Sequence, residues 1–148
     1  MTGLRFAPDS SVLVPAAQAQ HPNHALAVGE LEARLDAGQR MLLAGHALIE
    51  TYSVLTRLLP PFRMSPPAAH AVIRSFLDSG EVVSLTNDDY VALLGSAAVA
   101  GIAGGRIYDA VIAASARAAN ADVILTFNVR DFEGISAGMQ VRRPGDSA

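Results

Sequence analysis

Short apolar runs alternate with segments of helical periodicity along the whole chain. Arg40-Met-Leu-Leu-Ala44 is one such run, and a strongly amphipathic segment, Gly45 to Leu59, follows it. A strand without a polar face has to be covered on both sides. Such strands, joined by helices, build a mostly parallel sheet with helices on both faces and right-handed connections. The same reading puts strands at Leu4–Ala7, Val82–Leu85, Val123–Thr126 and Met139–Arg142. Helices are expected at Ser10–Ala17, Asn23–Ala37, Pro66–Ser79, Asp88–Ile102 and Ile107–Ala119. Gly38 and Pro60-Pro61 close two of them, and Pro66 opens another. No repeat or low-complexity tract interrupts the pattern beyond an alanine bias, so one domain over residues 1–148 is expected.

Composition removes several classes of chemistry. The chain has no Cys, which excludes disulfides, thiol catalysis and cysteine-ligated zinc. All basic residues are Arg, so no lysine is present for a P-loop, a Schiff base or a phospho-receiver site. The four His lack a zinc-hydrolase spacing. There is no G-x-S-x-G elbow, and Gly101, Gly104 and Gly105 do not make a dinucleotide fingerprint. A net charge of −3 argues against nucleic-acid binding by bulk electrostatics, while leaving room for a local basic rim. No apolar run reaches bilayer length and no signal peptide is apparent, which fits a cytoplasmic protein without membrane contact.

In doubly covered parallel sheets, functional groups gather beyond the carboxyl ends of the strands. Asp9 follows the first strand there, and Asn128 and Asp131 follow the strand ending at Thr126. Glu50 lies in the helix after the second strand. Asp109 opens the helix that feeds the Val123–Thr126 strand. Each has a plain structural reading. Asp9 can cap the helix at Ser10. Glu50 shares a stripe with His46, Ser53 and Arg57, opposite an apolar face of Leu48, Ile49, Tyr52, Leu55 and Leu59, and can pair with Arg57. Asn128 can cap a turn running to Glu133, Asp131 can be plain surface, and Asp78, Asp88, Asp89 and Asp122 read as loop or cap residues. Asp109 is harder to explain, because Ile112 and Ala113 lie on its face and a buried carboxylate needs a cation or donors. Taken together, convergent acids would repel one another, and a divalent cation removes that cost. Oxygen ligands without His or Cys select Mg²⁺ or Mn²⁺. Such a metal suits phosphodiester hydrolysis: it polarises the phosphoryl group, activates water and neutralises the leaving oxygen.

The chain resembles PIN-domain ribonucleases, in particular the VapC-type toxins of bacterial toxin–antitoxin pairs. The resemblance is carried by Asp9-Ser-Ser-Val-Leu-Val14, His21-Pro-Asn-His-Ala25 and Leu48-Ile-Glu-Thr-Tyr-Ser-Val-Leu-Thr-Arg57. Tyr108-Asp-Ala-Val-Ile-Ala-Ala113 and Val123-Ile-Leu-Thr-Phe-Asn-Val-Arg-Asp-Phe132 follow in family order. It implies a three-layer α/β/α fold and a Mg²⁺- or Mn²⁺-dependent endoribonuclease. Asp9, Glu50 and Asp109 fall on the family's core acids. Asn128 stands where an Asp is common, which removes one charge, and Asp131 is placed to compensate. Ser11 and Thr126 fall where hydroxyls sit near the metal or its waters. A homodimer, a cognate VapB-like antitoxin and a structured RNA substrate such as tRNA are also implied.

An acidic pocket repels RNA, and Arg106, Arg117, Arg130, Arg142 and Arg143 are candidates for a phosphate-contacting rim. Aromatics make up 5% of the chain, so extensive base stacking is not indicated, and Tyr108 and Phe127 read as packing residues. Two rivals stand beside the nuclease. One is a catalytically impaired binding module that keeps the fold and acts through its antitoxin or another partner. The other is an aspartyl phosphatase, which would want an Asp at Ser11 and a lysine.

Overall fold

A computed structural model describes residues 3–146. Five strands form one parallel sheet, in the order β3-β2-β1-β4-β5. They are β1 (Arg5–Pro8), β2 (Arg40–Ala44), β3 (Gly80–Val83), β4 (Val123–Leu125) and β5 (Gln140–Arg142). Six helices connect them: α1 (Ser10–Ala17), α2 (His24–Asp36), α3 (Gly45–Arg57), α4 (Pro66–Leu77), α5 (Asn87–Ala100) and α6 (Arg106–Ala118). A 3₁₀ turn, Val129–Phe132, follows β4. This is the three-layer α/β/α architecture the sequence implied.

The chain steps outward from β1 to β2 and β3, then returns across the sheet to β4. Right-handed crossovers therefore put α1–α4 over one face and α5–α6 over the other. Both faces of the central strands are covered: Phe6, Ala7, Leu43, Ala44, Ile124 and Leu125 are fully buried. A second apolar cluster of Val14, Leu55 and Ala69 ties α1, α3 and α4 together. The reversal of direction falls between β1 and β4. In such sheets the crevice at the carboxyl ends of the two strands flanking the reversal is the natural ligand site.

Local chemistry sets most boundaries. Ser65 caps α4, its hydroxyl accepting from the Ala68 amide at 3.3 Å, with Pro66 in the first turn. Thr86 and Asp89 form a reciprocal capping box on α5, and Gly101 ends that helix at φ 74°. Three expectations need correction. The third strand lies two residues earlier than the apolar run Val82–Leu85 indicates, because Gly80 pairs with Met41. A Cβ at Gly80 would meet the end of the Leu43 side chain at 2.8 Å, so a larger residue there would make that side chain shift. The buried face of α3 is Ala47, Thr51 and Leu55, whereas Ile49 is 70% and Leu59, just past its end, 77% exposed. Small residues let α3 lie close to its neighbours, with Leu55 buried among them and Leu48 packed against the core, while Ile49 projects outward. Finally, α3 stops at Arg57 rather than Leu59.

Among the described residues no helix is long and apolar enough to cross a membrane. Ile124, fully buried beside the central strand, is a direct measure of the core. Ile124→Ala is expected to lower the unfolding free energy by about 2–5 kcal/mol in chemical denaturation.

Candidate active site

Asp9 stands at the corner between β1 and α1. Its backbone is extended and its amide donates to the Leu125 carbonyl at 3.0 Å, one step beyond the β1–β4 pairing. Its own carbonyl accepts from Val12 and Leu13, starting α1. The position is that of a helix cap, but the side chain makes no capping bond. It turns instead into a buried polar corner, where Asp9 is 4% exposed. Ser11 Oγ donates to Oδ1 at 2.6 Å, and Thr126 Oγ1 donates to Oδ2 at 2.7 Å. Each hydroxyl in turn accepts a backbone N–H, from Phe127 at 2.8 Å and from Asn128 at 2.9 Å. Those amides occupy acceptor sites on the hydroxyl oxygens and leave both hydroxyl protons for the carboxylate.

Glu50 is held from two other directions. Ser10 Oγ donates to its Oε1. His46, one turn earlier on α3, places Nε2 3.4 Å from its Oε2. The His46 ring stacks on Tyr108, centroids 5.0 Å apart and planes 8° from parallel. Tyr108 precedes Asp109, so the N-terminal ends of α1, α3 and α6 meet around the acids. The expected Glu50–Arg57 pair does not form, because Ser10 and His46 already hold the carboxylate. Asn128 occupies the cap position of the 3₁₀ turn without a capping bond.

The carboxylates sense one another. Asp9 is pushed up to about 6 from its ordinary 3.8, chiefly by burial. The Ser11 and Thr126 hydroxyls oppose the shift, and the Asp109 charge adds to it. Asp109, half-buried, also rises to about 6, first by burial and then by repulsion from Asp131 and Glu50. Arg106 and His46 pull it down and do not compensate. Asp9, Glu50, Asp109 and Asp131 therefore share one field at the carboxyl end of the sheet, and negative charge there is in excess.

Among the described residues, no three His, Asp or Glu side chains are already gathered as a cage that could hold a metal ion. The donor chemistry nevertheless fits a hard dication. Every acid presents oxygen, and Mg²⁺ takes one or two carboxylates and keeps several waters rather than requiring an all-protein shell. A cation would also relieve the repulsion that raises Asp9 and Asp109.

The basic candidates separate. Arg106 anchors the start of α6 by donating to the Glu133 carbonyl at 2.8 Å. Arg130 lies in the 3₁₀ turn next to Asp131. Arg143 donates to the Phe127 carbonyl at 3.1 Å and stands over its ring. Arg142 ends β5, and its carbonyl accepts from Thr126. Arg117 does not join them. It sits in the last turn of α6 and donates to the Ala137 carbonyl. α6 runs antiparallel to the strands, so its two ends lie at opposite edges of the sheet. The sequence offers a sign of His46, which lies one turn before Glu50, whereas nothing local marks the Ser10–Glu50 contact.

A family model described as PIN domain matches residues 7–137. The chain belongs to the PIN-domain family. This PIN domain is 39% identical over 128 residues to Ribonuclease VapC40 of Mycobacterium tuberculosis, covering 86% of this chain and 90% of that one. The VapBC2 structure from Rickettsia felis, bound to a promoter DNA fragment, superimposes with a TM-score of 0.69 at 17% identity, covering 95% of this PIN domain and 98% of that chain. The Mycobacterium tuberculosis VapC20 structure, a sarcin-ricin-loop-cleaving toxin, gives 0.65 at 20% identity, covering 88% and 95%. At those identities the two structures speak for the fold.

The raised acids make stability depend on pH in a definite direction. Between 3.8 and about 6 the folded chain binds more protons than the unfolded one. Stability from these groups therefore falls as pH rises through that window. Metal-free protein is expected to gain stability on going from about pH 7.5 to about pH 5. Asp109→Asn is expected to flatten that dependence and to raise the melting temperature at neutral pH by roughly 1–4 °C in thermal denaturation.

Proposed function

We propose that this PIN domain is a Mg²⁺- or Mn²⁺-dependent endoribonuclease and the toxin of a VapBC-type pair, working in the cytoplasm against a structured RNA such as tRNA. The observation that supports this reading is that Asp109 lies within electrostatic reach of Asp9, Glu50 and Asp131, near the reversal of strand order. The ribonuclease name of a 39% identical relative supports it.

Asp9, Glu50 and Asp109 would hold the cation. Asp131 takes over the charge missing at Asn128, since it is the strongest like-charge neighbour of Asp109; Asn128 retains an oxygen for a further contact. The dication would supply a polarised phosphoryl oxygen, a more acidic attacking water and neutralisation of the leaving oxygen. The chain's own part is placement. Ser11 and Thr126 hold the Asp9 carboxylate with both oxygens oriented. Ser10 and His46 hold Glu50. Arg106, Arg130 and Arg143 belong to segments at the same end of the sheet and offset the repulsion an RNA phosphate would meet.

Asn128 in place of an acid favours one rival, a catalytically impaired binding module that acts through its VapB-like antitoxin. Cleavage separates the two. Purified protein with Mg²⁺ or Mn²⁺ is expected to cut RNA internally, and chelation is expected to stop it. Asp9→Asn and Asp109→Asn are expected to lose more than the 10–100-fold typical of removing a group that only orients a ligand. Ser11→Ala is expected to fall within that 10–100-fold range. A folded wild-type protein that binds an antitoxin and never cleaves RNA would decide for the binding module.

A homodimer is part of the same proposal. α5 buries only Ala97, while Tyr90, Val91, Leu94 and Val99 are exposed. Tyr90, Val91 and Leu94 fall on one side of the helix, and exposed apolar side chains grouped in this way mark an association face. Val91→Glu combined with Leu94→Glu is expected to convert the dimer to monomer in sedimentation, with the far-ultraviolet spectrum unchanged.

A further inference from the structure

Beside the acids lies an open cleft of about 320 Å³ that none of the carboxylates lines. It runs between α1, the α1–α2 connection, α3 and the loop after β4. It shares Ser10, Ser11 and Asn128 with the site described above. Its volume is at the small end of ligand pockets, the size for one base with its sugar rather than a length of strand.

The lining has two kinds of surface. Val14, Pro15, Val54 and Phe127 supply apolar walls. Phe127 is fixed from outside the cleft: Arg143 donates to its carbonyl at 3.1 Å and stands 5.0 Å over its ring centroid. The ring also packs against the main hydrophobic core, and the part of it left exposed borders the cleft. The polar groups are His21, Asn23 and Asn128. The Asn23 amide donates to His21 Nδ1 at 3.0 Å. In the neutral ring that leaves the proton on Nε2 as a donor. Neither the Asn23 nor the Asn128 side chain caps its own helix, and neither makes a hydrogen bond among the described residues. Two uncommitted amides and one oriented imidazole N–H thus stand around an apolar slot with an aromatic wall. Proteins read an unpaired base with this combination, stacking on its face and bonding its edge.

We propose that this cleft takes one splayed-out ribonucleobase next to the scissile phosphodiester, with Phe127 as the stacking surface and His21, Asn23 and Asn128 reading the base edge. The proposal rests on the nuclease reading for its position relative to the cut, while base binding stands by itself. It gives the His21-Pro-Asn-His24 segment a function: His24 Nδ1 bonds the Pro15 carbonyl at 2.7 Å and pins the segment to α1, and His21 and Asn23 face the cleft. The competing occupant is a protein segment such as an antitoxin side chain, which needs no base preference.

The experiment has two arms. In the first, full-length protein with Mn²⁺ cuts a pool of RNA randomised around a loop, and the new ends are sequenced. Wild type is expected to show a base preference at one nucleotide flanking the cut. His21→Ala, Asn23→Ala and Phe127→Leu are each expected to reduce that preference at least threefold, and Phe127→Tyr is expected to retain it. Melting curves check that each variant is folded. In the second arm, the four ribonucleoside 5′-monophosphates are titrated into metal-free protein and followed by amide resonances. Shifts at Asn23, Phe127 and Asn128 that ribose 5-phosphate does not reproduce support a base site, whether or not the protein cleaves RNA. Cleavage with an unchanged base profile in the folded variants overturns the proposal and leaves the nuclease reading intact. So does a titration in which nucleotides and ribose 5-phosphate give the same shifts. Variants that keep the base profile and lose only inhibition by an antitoxin peptide assign the cleft to the protein partner instead.

Discussion

A carboxylate kept out of water by two hydroxyls organises this end of the molecule. A buried acid without donors would be costly, and Asp9 has one hydroxyl on each oxygen. The same hydroxyls accept the amides of Phe127 and Asn128. The acid and the course of the chain after β4 are therefore parts of one hydrogen-bonded network, in which each bond orients the next. Loss of either hydroxyl would loosen the loop as well as the acid.

Around that anchor, charge is arranged at the expense of stability. Four acids arrive on four different elements because the strand order reverses between β1 and β4. Burial and mutual repulsion push Asp9 and Asp109 upward. A fold selected only for stability would keep these residues apart or pair them with the available arginines. Strongly perturbed carboxyls gathered in a crevice are the usual mark of a site held ready for a ligand of opposite charge.

The fold was largely legible because short apolar runs and Pro or Gly punctuation are local signals. The limits of β2 and α1 could be read directly. The β3 boundary could not, since Gly80 joins the sheet by pairing with Met41, a distant partner that no local pattern reveals. The face of α3 was misread for a similar reason: side-chain size points to Ile49 and Tyr52, while close helix packing selects Ala47 and Thr51. Asp109 stood out from the sequence because its face is apolar, whereas Asp9 read equally well as a helix cap and Glu50 as part of a polar stripe, and only the acids taken together pointed to a cation. Ser10 did not stand out, because its bond to Glu50 spans 40 positions. The placement of Arg117 was available in principle: a helix returning to start a parallel strand must carry its last turn away from the carboxyl edge.

The first turn of α1 has a consequence for how the acids move. Ser10 grips Glu50 and the adjacent Ser11 grips Asp9. Two carboxylates from distant parts of the chain are thus geared to neighbouring teeth of one helical turn. Their separation is thereby tied to the step between two adjacent residues of one helix, the most rigid spacing the backbone offers.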